Sequence, residues 1–323
     1  MTDSYPIHRH PTVGVVGLGK MGQNHLRVLK SMKSIQIGFV SDIDEELGQR
    51  VASDFGVPHL ANPEDGAPLA NSLIIATSSQ SHYSITRSCL AHFRSILVEK
   101  PLTLDSQTTH DLLVTARELE TRIQVGFIER FNPAIQALQK VLHSRPTPET
   151  LEFRRVGKLV SHANQIDVVR DLMIHDIDLA LLLAGPIVSI DGIGYSRADS
   201  LQMCHALVRH QSGTISHFHT SYISQKKQRQ IRATHEDYTA EVDLTAQSLV
   251  VYEEGYISDP VAGEYVSTNI ERQVHVNRSE PLLNQLRSFF DKSEGAWHET
   301  PGPQAALESI LVCESLLEKV RVS

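Results

Sequence analysis

The stretch Val13-Gly-Val-Val-Gly-Leu-Gly-Lys-Met-Gly22 limits what this chain can fold into more than any other. A short apolar run, Val13 to Val16, breaks into Gly17, Gly19 and Gly22, and an amphipathic segment with Leu26, Val28 and Leu29 follows. The pattern predicts a strand, a tight turn and a helix. Gly17 allows the turn, Gly19 lets backbone approach a pyrophosphate, and Gly22 lets the helix pack on the strand. The helix N-terminus, at Lys20 and Met21, then presents unpaired N–H groups to the phosphates. Taken alone, the spacing also fits an ordinary glycine-rich loop. A second strand, Ile35 to Ser41, ends at Asp42, twenty residues after Gly22. A carboxylate there accepts hydrogen bonds from the adenosine ribose hydroxyls and repels a 2′-phosphate, so NAD is favoured over NADP.

Composition bounds the remaining choices. A length of 323 residues suits two domains, and 41% hydrophobic with 21% charged residues is ordinary for a soluble globular protein. The formal charge of −8 argues against a general nucleic-acid binder and against an anionic membrane surface. An anionic substrate therefore needs a local basic pocket. Cys89, Cys204 and Cys313 are odd in number and far apart, which fits a reduced cytoplasm. Residues 1–11 lack the apolar core of a signal peptide, His8 and His10 read as part of a disordered leader, and no apolar run is long enough to span a bilayer.

Along the chain, strands and helices alternate up to about residue 126. A helix over 44–55 stops at Gly56 and Pro58, and the strand Ser72–Thr77 runs into the polar loop Thr77–Ser81. A helix from Ser81, the strand Ser95–Lys100, a helix capped by Asp105 and the strand Arg122–Gly126 follow. This grammar predicts a doubly wound parallel sheet in a Rossmann domain over 1–126. Beyond it, Asn132 and Pro133 open a helix, and one more helix is expected around 168–184. The strands 187–195, 203–209, 214–222, 228–234, 239–244, 248–252 and 270–276 predict an α+β domain over 127–323 with a large, mostly antiparallel open-faced sheet. Two helices, after Pro281 and from Pro303, close the chain. A sheet open to water on one side can cover it with a second copy, so a homo-oligomer is expected.

Two clusters carry candidate chemistry. Glu99-Lys-Pro101 delivers Lys100 at the carboxyl end of a strand, with Pro101 holding it extended. A lysine there can hydrogen-bond a substrate hydroxyl, and burial would bring its pKa towards an acid–base range; a solvated surface lysine is the other reading. In Arg170 to Asp178, Asp171 and His175 lie four apart on one helical face, able to address one hydroxyl, with Asp178 placed to orient the ring. An exposed capping and salt-bridge cluster remains the alternative. No second histidine has ligand spacing, so no metal is expected. His217 and His219 share a strand face that suits a sheet surface or a subunit contact, and Trp297 carries no clear signal.

Together, Gly17-Leu-Gly-Lys-Met-Gly22 with His25, Asp42, Glu99-Lys-Pro101, and Asp171-x-x-x-His175 followed by Asp176-Ile-Asp178 resemble the glucose–fructose oxidoreductase and inositol dehydrogenase (Gfo/Idh/MocA) family over nearly the whole chain. Gly126 to Pro133 and Arg155-Val-Gly157 look like the members that oxidise C3 of UDP-N-acetylglucosamine, although Phe127 and Met173-Ile174 depart from their usual residues. The resemblance implies NAD as cofactor, Lys100, Asp171 and His175 as the catalytic trio, and Thr77, His82 and Glu99 beside the cofactor. It also implies a UDP-sugar substrate, a downstream aminotransferase making a 3-amino sugar for lipopolysaccharide, and a dimer or tetramer. A sugar-nucleotide diphosphate needs cations, and Arg130, Arg154 and Arg155, with Asn132 beside them, are the expected substrate contacts. The rival expectations are a family dehydrogenase for a free polyol, hexose or sugar acid, and a non-catalytic NAD-binding regulator.

Overall fold

The computed structural model describes residues 11–158, 166–198, 200–259, 264–291 and 300–322. His8, His10 and Trp297 lie outside the described residues. By contact the chain divides into two units, Met1–Phe127 with Leu282–Leu311, and Ile128–Pro281 with Val312–Ser323.

In the first unit, short apolar runs form β1 (Thr12–Val16), β2 (Gln36–Ser41), β3 (Ser72–Ile75), β4 (Ser95–Val98) and β5 (Arg122–Val125). They make a five-stranded sheet of order β2-β1-β3-β4-β5, with every pairing parallel. A parallel sheet is covered on both faces, which is why Leu73, Ile74 and Ile75 are consecutive yet all fully buried. The crossovers are α1 (Lys20–Ser31), α2 (Glu45–Phe55), α3 (Ser79–Cys89) and α4 (Ser106–Glu118). Local chemistry sets their ends: the Asp44 carboxylate accepts the Leu47 N–H at 3.0 Å, and Gly56 closes α2 at φ +66°. Asp105 caps α4 through the Thr108 N–H at 2.7 Å. Strand order reverses around β1 and β3, so the crevice at their carboxyl ends is where such a sheet takes its ligand.

The sequence reading placed everything from residue 127 onward in one domain, whereas Leu282–Leu311 groups with the first unit. The Val125 N–H donates to the Pro301 carbonyl at 2.7 Å, and the Gln124 amide reaches the Gln285 carbonyl at 3.5 Å. A late segment returning to β5 leaves no mark in the local pattern.

In the second unit, α5 (Pro133–His143) follows a single 3₁₀ turn, Ile128–Phe131, and β6 (Thr150–Lys158) follows α5. A π-helical turn, Val169–Met173, runs into α6 (Ile174–Ala184). Next come β7 (Ile187–Arg197), β8 (Ser200–His210), β9 (Ile215–Ser221), β10 (Ile223–His235), β11 (Tyr238–Asp243), β12 (Ser248–Asp259) and β13 (Glu264–Val274). The helices α7 (Pro281–Phe290) and α8 (Pro303–Lys319) and a short β14 (Arg321–Val322) complete the chain. Among the described residues the sheet has nine strands, ordered β13-β12-β11-β10-β6-β9-β8-β7-β14, with β6–β9 and β7–β14 parallel and the remaining pairs antiparallel.

Strict alternation gives this sheet two faces. Leu151, Phe153, Phe218, Ala206, Ile231 and Ala233 point inward, and the Phe153 and Phe218 rings stack at 5.0 Å. The other face leaves Ile193, Leu207 and Ile215 exposed and lines up His205, His217 and His219, with ring centroids 4.1 Å (His205–His219) and 5.5 Å (His205–His217) apart. Among the described residues no helix is long and apolar enough to cross a membrane.

Candidate functional site

The glycine turn has the geometry its spacing implied. Gly17 sits at φ +84°, and a Cβ there would lie 2.6 Å from the Thr77 backbone nitrogen. A Cβ on Gly22 would run into the Gly17 carbonyl, whereas one on Gly19 would meet nothing within 4 Å. That open space is where a phosphate approaches backbone. Among the described residues no side chain caps the first turn of α1, so its N–H groups around Lys20 and Met21 are open to an anion. Asp42, at the end of β2, accepts the Leu18 N–H at 2.6 Å and the Asp44 N–H at 2.9 Å. These bonds fix the carboxylate at the mouth of a cavity of about 730 Å³ lined by Ile43, Gln49, Ala52, Pro58 and His59. Glycines, helix end and carboxylate together fit the pyrophosphate and adenosine ribose of a dinucleotide.

Beyond β4, Glu99 is buried and bonds the His25 ring at 2.7 Å, tying the strand end to α1. His82 is 1% exposed, with one ring nitrogen 2.7 Å from the Pro101 carbonyl and the other 3.2 Å from the Thr77 carbonyl. Burial lowers its pKa, against the two carbonyls and Glu99, which raise it. Both residues therefore brace the loops around Thr77 and Lys100. Thr77 is half-buried and its hydroxyl accepts from Ser81 at 3.0 Å. Lys100 is half-buried, and the peptide joining it to Pro101 is cis.

In the second unit, Asp167 accepts the Val169 and Arg170 N–H groups at 3.0 and 2.9 Å and starts the helical stretch. Asp171 lies in the π-turn and His175 in the first turn of α6, both half-buried. A π-turn bonds i to i+5 and tends to occur at functional sites, and residues four apart stay on one side of it. The Asp171 carboxylate accepts the Tyr222 hydroxyl at 2.5 Å. Sequence reasoning missed Tyr222, because its only signal was an aromatic hydroxyl at the last position of an expected strand.

The expected arginines occupy other roles. Arg155 is fully buried: its Nε and Nη2 donate to Asp176 at 2.8–3.0 Å and its Nη1 to Glu129 at 2.9 Å. Burial disfavours the charged guanidinium, but the two carboxylates more than offset this and raise its pKa. This pairing engages Arg155 with two carboxylates of its own unit, where a diphosphate contact was expected. Arg130 forks onto Asp178 at 2.6 and 2.8 Å. Arg154 points to the opposite face of β6, where its Nε donates to Gln228 at 3.1 Å. Asn132 is buried and caps α5, accepting the Ala134 N–H at 3.1 Å and donating to the Leu244 carbonyl at 3.0 Å, so its amide is structural.

Comparison with known proteins agrees with this architecture. Residues 12–127 match the family model described as oxidoreductase family, NAD-binding Rossmann fold, and residues 141–250 match the GFO/IDH/MocA C-terminal domain. A UDP-N-acetylglucosamine 3-dehydrogenase of Acidithiobacillus ferrooxidans is 30% identical over 250 residues, covering 76% of this chain and 78% of that protein. An inositol 2-dehydrogenase of Mycolicibacterium vanbaalenii is 30% identical over 53% of this chain and 52% of its own length. The solved structure of the Acidithiobacillus enzyme superposes with a TM-score of 0.85 at 24% identity, covering 97% of this chain and 98% of that one. Levoglucosan dehydrogenase in complex with NADH and levoglucosan superposes with a TM-score of 0.80 at 14% identity, covering 96% of this chain and 97% of that one. With both family domains matched and a dinucleotide crevice in the first unit, the chain belongs to the Gfo/Idh/MocA oxidoreductases and binds NAD through its Rossmann fold.

Proposed function

We propose that this oxidoreductase removes hydrogen from C3 of UDP-N-acetylglucosamine, giving a 3-keto sugar nucleotide. The carrying observation is the 30% identity to a UDP-N-acetylglucosamine 3-dehydrogenase over three-quarters of the chain. His175 takes the hydroxyl proton, Asp171 orients it, and Lys100 polarises the oxygen. Bound NAD supplies the hydride acceptor. The anchoring of Asp171 by Tyr222 supports this assignment, since an oriented general base is worth about 10² to 10⁴-fold in rate. Further parts of the reading are a cytoplasmic homo-oligomer, held through the open sheet face that exposes Ile193, Leu207 and Ile215, and an aminotransferase that consumes the ketone for lipopolysaccharide synthesis.

A free polyol is the second reading, favoured by the inositol dehydrogenases that match about half of the chain. NADH formation measured across UDP-sugars, myo-inositol, hexoses and sugar acids separates the two. UDP-N-acetylglucosamine is expected to give the highest kcat/KM, and a higher value for inositol would replace the proposal. Lys100→Met and His175→Ala are each expected to abolish single-turnover hydride transfer, and full activity in both variants would refute the assigned residues.

A further inference from the structure

β10 carries a cation that the sequence reading passed over. Arg229 pairs in register with Arg155 of β6, and Ile231 and Ala233 of the same parity are buried at 2% and 0%, so Arg229 belongs to the inner face of the sheet. That face holds Asp176 and Glu129, whose carboxylates Arg155 already engages. Among the described residues no hydrogen bond or ion pair engages the Arg229 guanidinium, although Glu129, Asp176 and Asp171 are near enough to act on its charge.

Two roles fit a cation in this position. Arg155, Asp176 and Glu129 carry one net negative charge between them, which Arg229 would balance as a counter-ion. A counter-ion should be drawn into direct pairing and held firmly charged. Arg229 makes no such direct pairing among the described residues, and burial, with the neighbouring Arg155 second, lowers its pKa. The half-buried guanidinium keeps donors that no described protein group uses, and an arriving anion can take them. A guanidinium fork matches two oxygens of a phosphate or carboxylate, and the other expected arginines are committed elsewhere.

We propose that Arg229 receives the anionic group of the substrate, a phosphate or a carboxylate, on the inner face of the second unit's sheet beside Asp171. The inference rests on the reading above only in requiring that the substrate be an anionic sugar derivative. The full-length enzyme with NAD is assayed on UDP-N-acetylglucosamine and on a hexuronate, and UDP binding is followed by calorimetry, for wild type, Arg229→Gln and Arg229→Lys. Arg229→Gln should raise KM for the anionic substrate, and Kd for UDP where UDP binds, on the order of ten- to a hundredfold. Arg229→Lys keeps the charge without the fork and should show a severalfold rise, which serves as the readout if the glutamine variant fails to fold. Turnover of the hexuronate but not the UDP-sugar, with the same defect in the variants, supports Arg229 while refuting the UDP-sugar assignment. Unchanged KM and Kd in the folded variants overturn the proposal, as does a wild-type enzyme that turns over only neutral sugars.

Discussion

Asp171 accepts its 2.5 Å hydrogen bond from a residue fifty-one positions further along the chain, and such a donor fixes a carboxylate's rotamer. Hydrogen bonds to charged groups are worth about 1.5–3 kcal/mol, so Tyr222→Phe should lower kcat by roughly ten- to a hundredfold while leaving KM for NAD unchanged. Steady-state kinetics check this, and a wild-type kcat would mean that Asp171 needs no anchor. Arg155 makes the opposite case, its bonds serving stability. Removing one partner from a buried ion pair leaves uncompensated charge, so Arg155→Met should destabilise the fold by about 3–5 kcal/mol in urea titration. The sequence showed the spacing of Asp171 and His175 because both lie on one helical stretch. It showed neither Tyr222 nor the burial of Arg155, because both depend on which strands become neighbours.

At the scale of elements, the glycine turn separates folding from binding within a few residues. Gly17 combines positive φ with backbone contact at the position a Cβ would occupy, so alanine there strains the turn itself. Gly19 has φ −66° and open space where its Cβ would go. Gly19→Ala should therefore melt at the wild-type temperature yet bind NAD at least about tenfold more weakly, because a methyl group then holds the pyrophosphate off the backbone. Thermal melts and NAD titration of the same sample test the pair of claims, and unaltered affinity would place the phosphates elsewhere. This turn was legible because three glycines, a strand and a helix all constrain one another locally. The strand Thr150–Lys158 was missed although Leu151, Phe153 and Arg155 alternate inward, because a charged residue at the third inward position hides the period. The π-turn at Val169–Met173 was read as ordinary helix, since apolar spacing does not distinguish five-residue bonding from four.

For the whole molecule, protonation links these local environments to stability. His82, His205, His210 and His219 all have lowered pKa values with burial as the largest cause, and in His219 the neighbouring His205, Arg154 and His217 add repulsion that brings it to about 4. An unfolded histidine titrates near about 6.5, so between there and 4 the unfolded chain binds more protons than the folded one, and stability falls as pH falls through that window. Above it both states are neutral and the histidines contribute no slope. Glu129, lowered because Arg155 overrides its burial, adds its own loss only at lower pH, below the ordinary glutamate range. Acid destabilisation should therefore begin as these histidines protonate, before Glu129 does. His219→Gln isolates the contribution of the stacked ring: its melting temperature should run parallel to wild type above about pH 6.5 and fall less steeply between there and pH 4. Curves that stay parallel through the whole window would show that His219 protonates as readily in the folded sheet as in the unfolded chain, and that the stacked rings place no charge penalty on it.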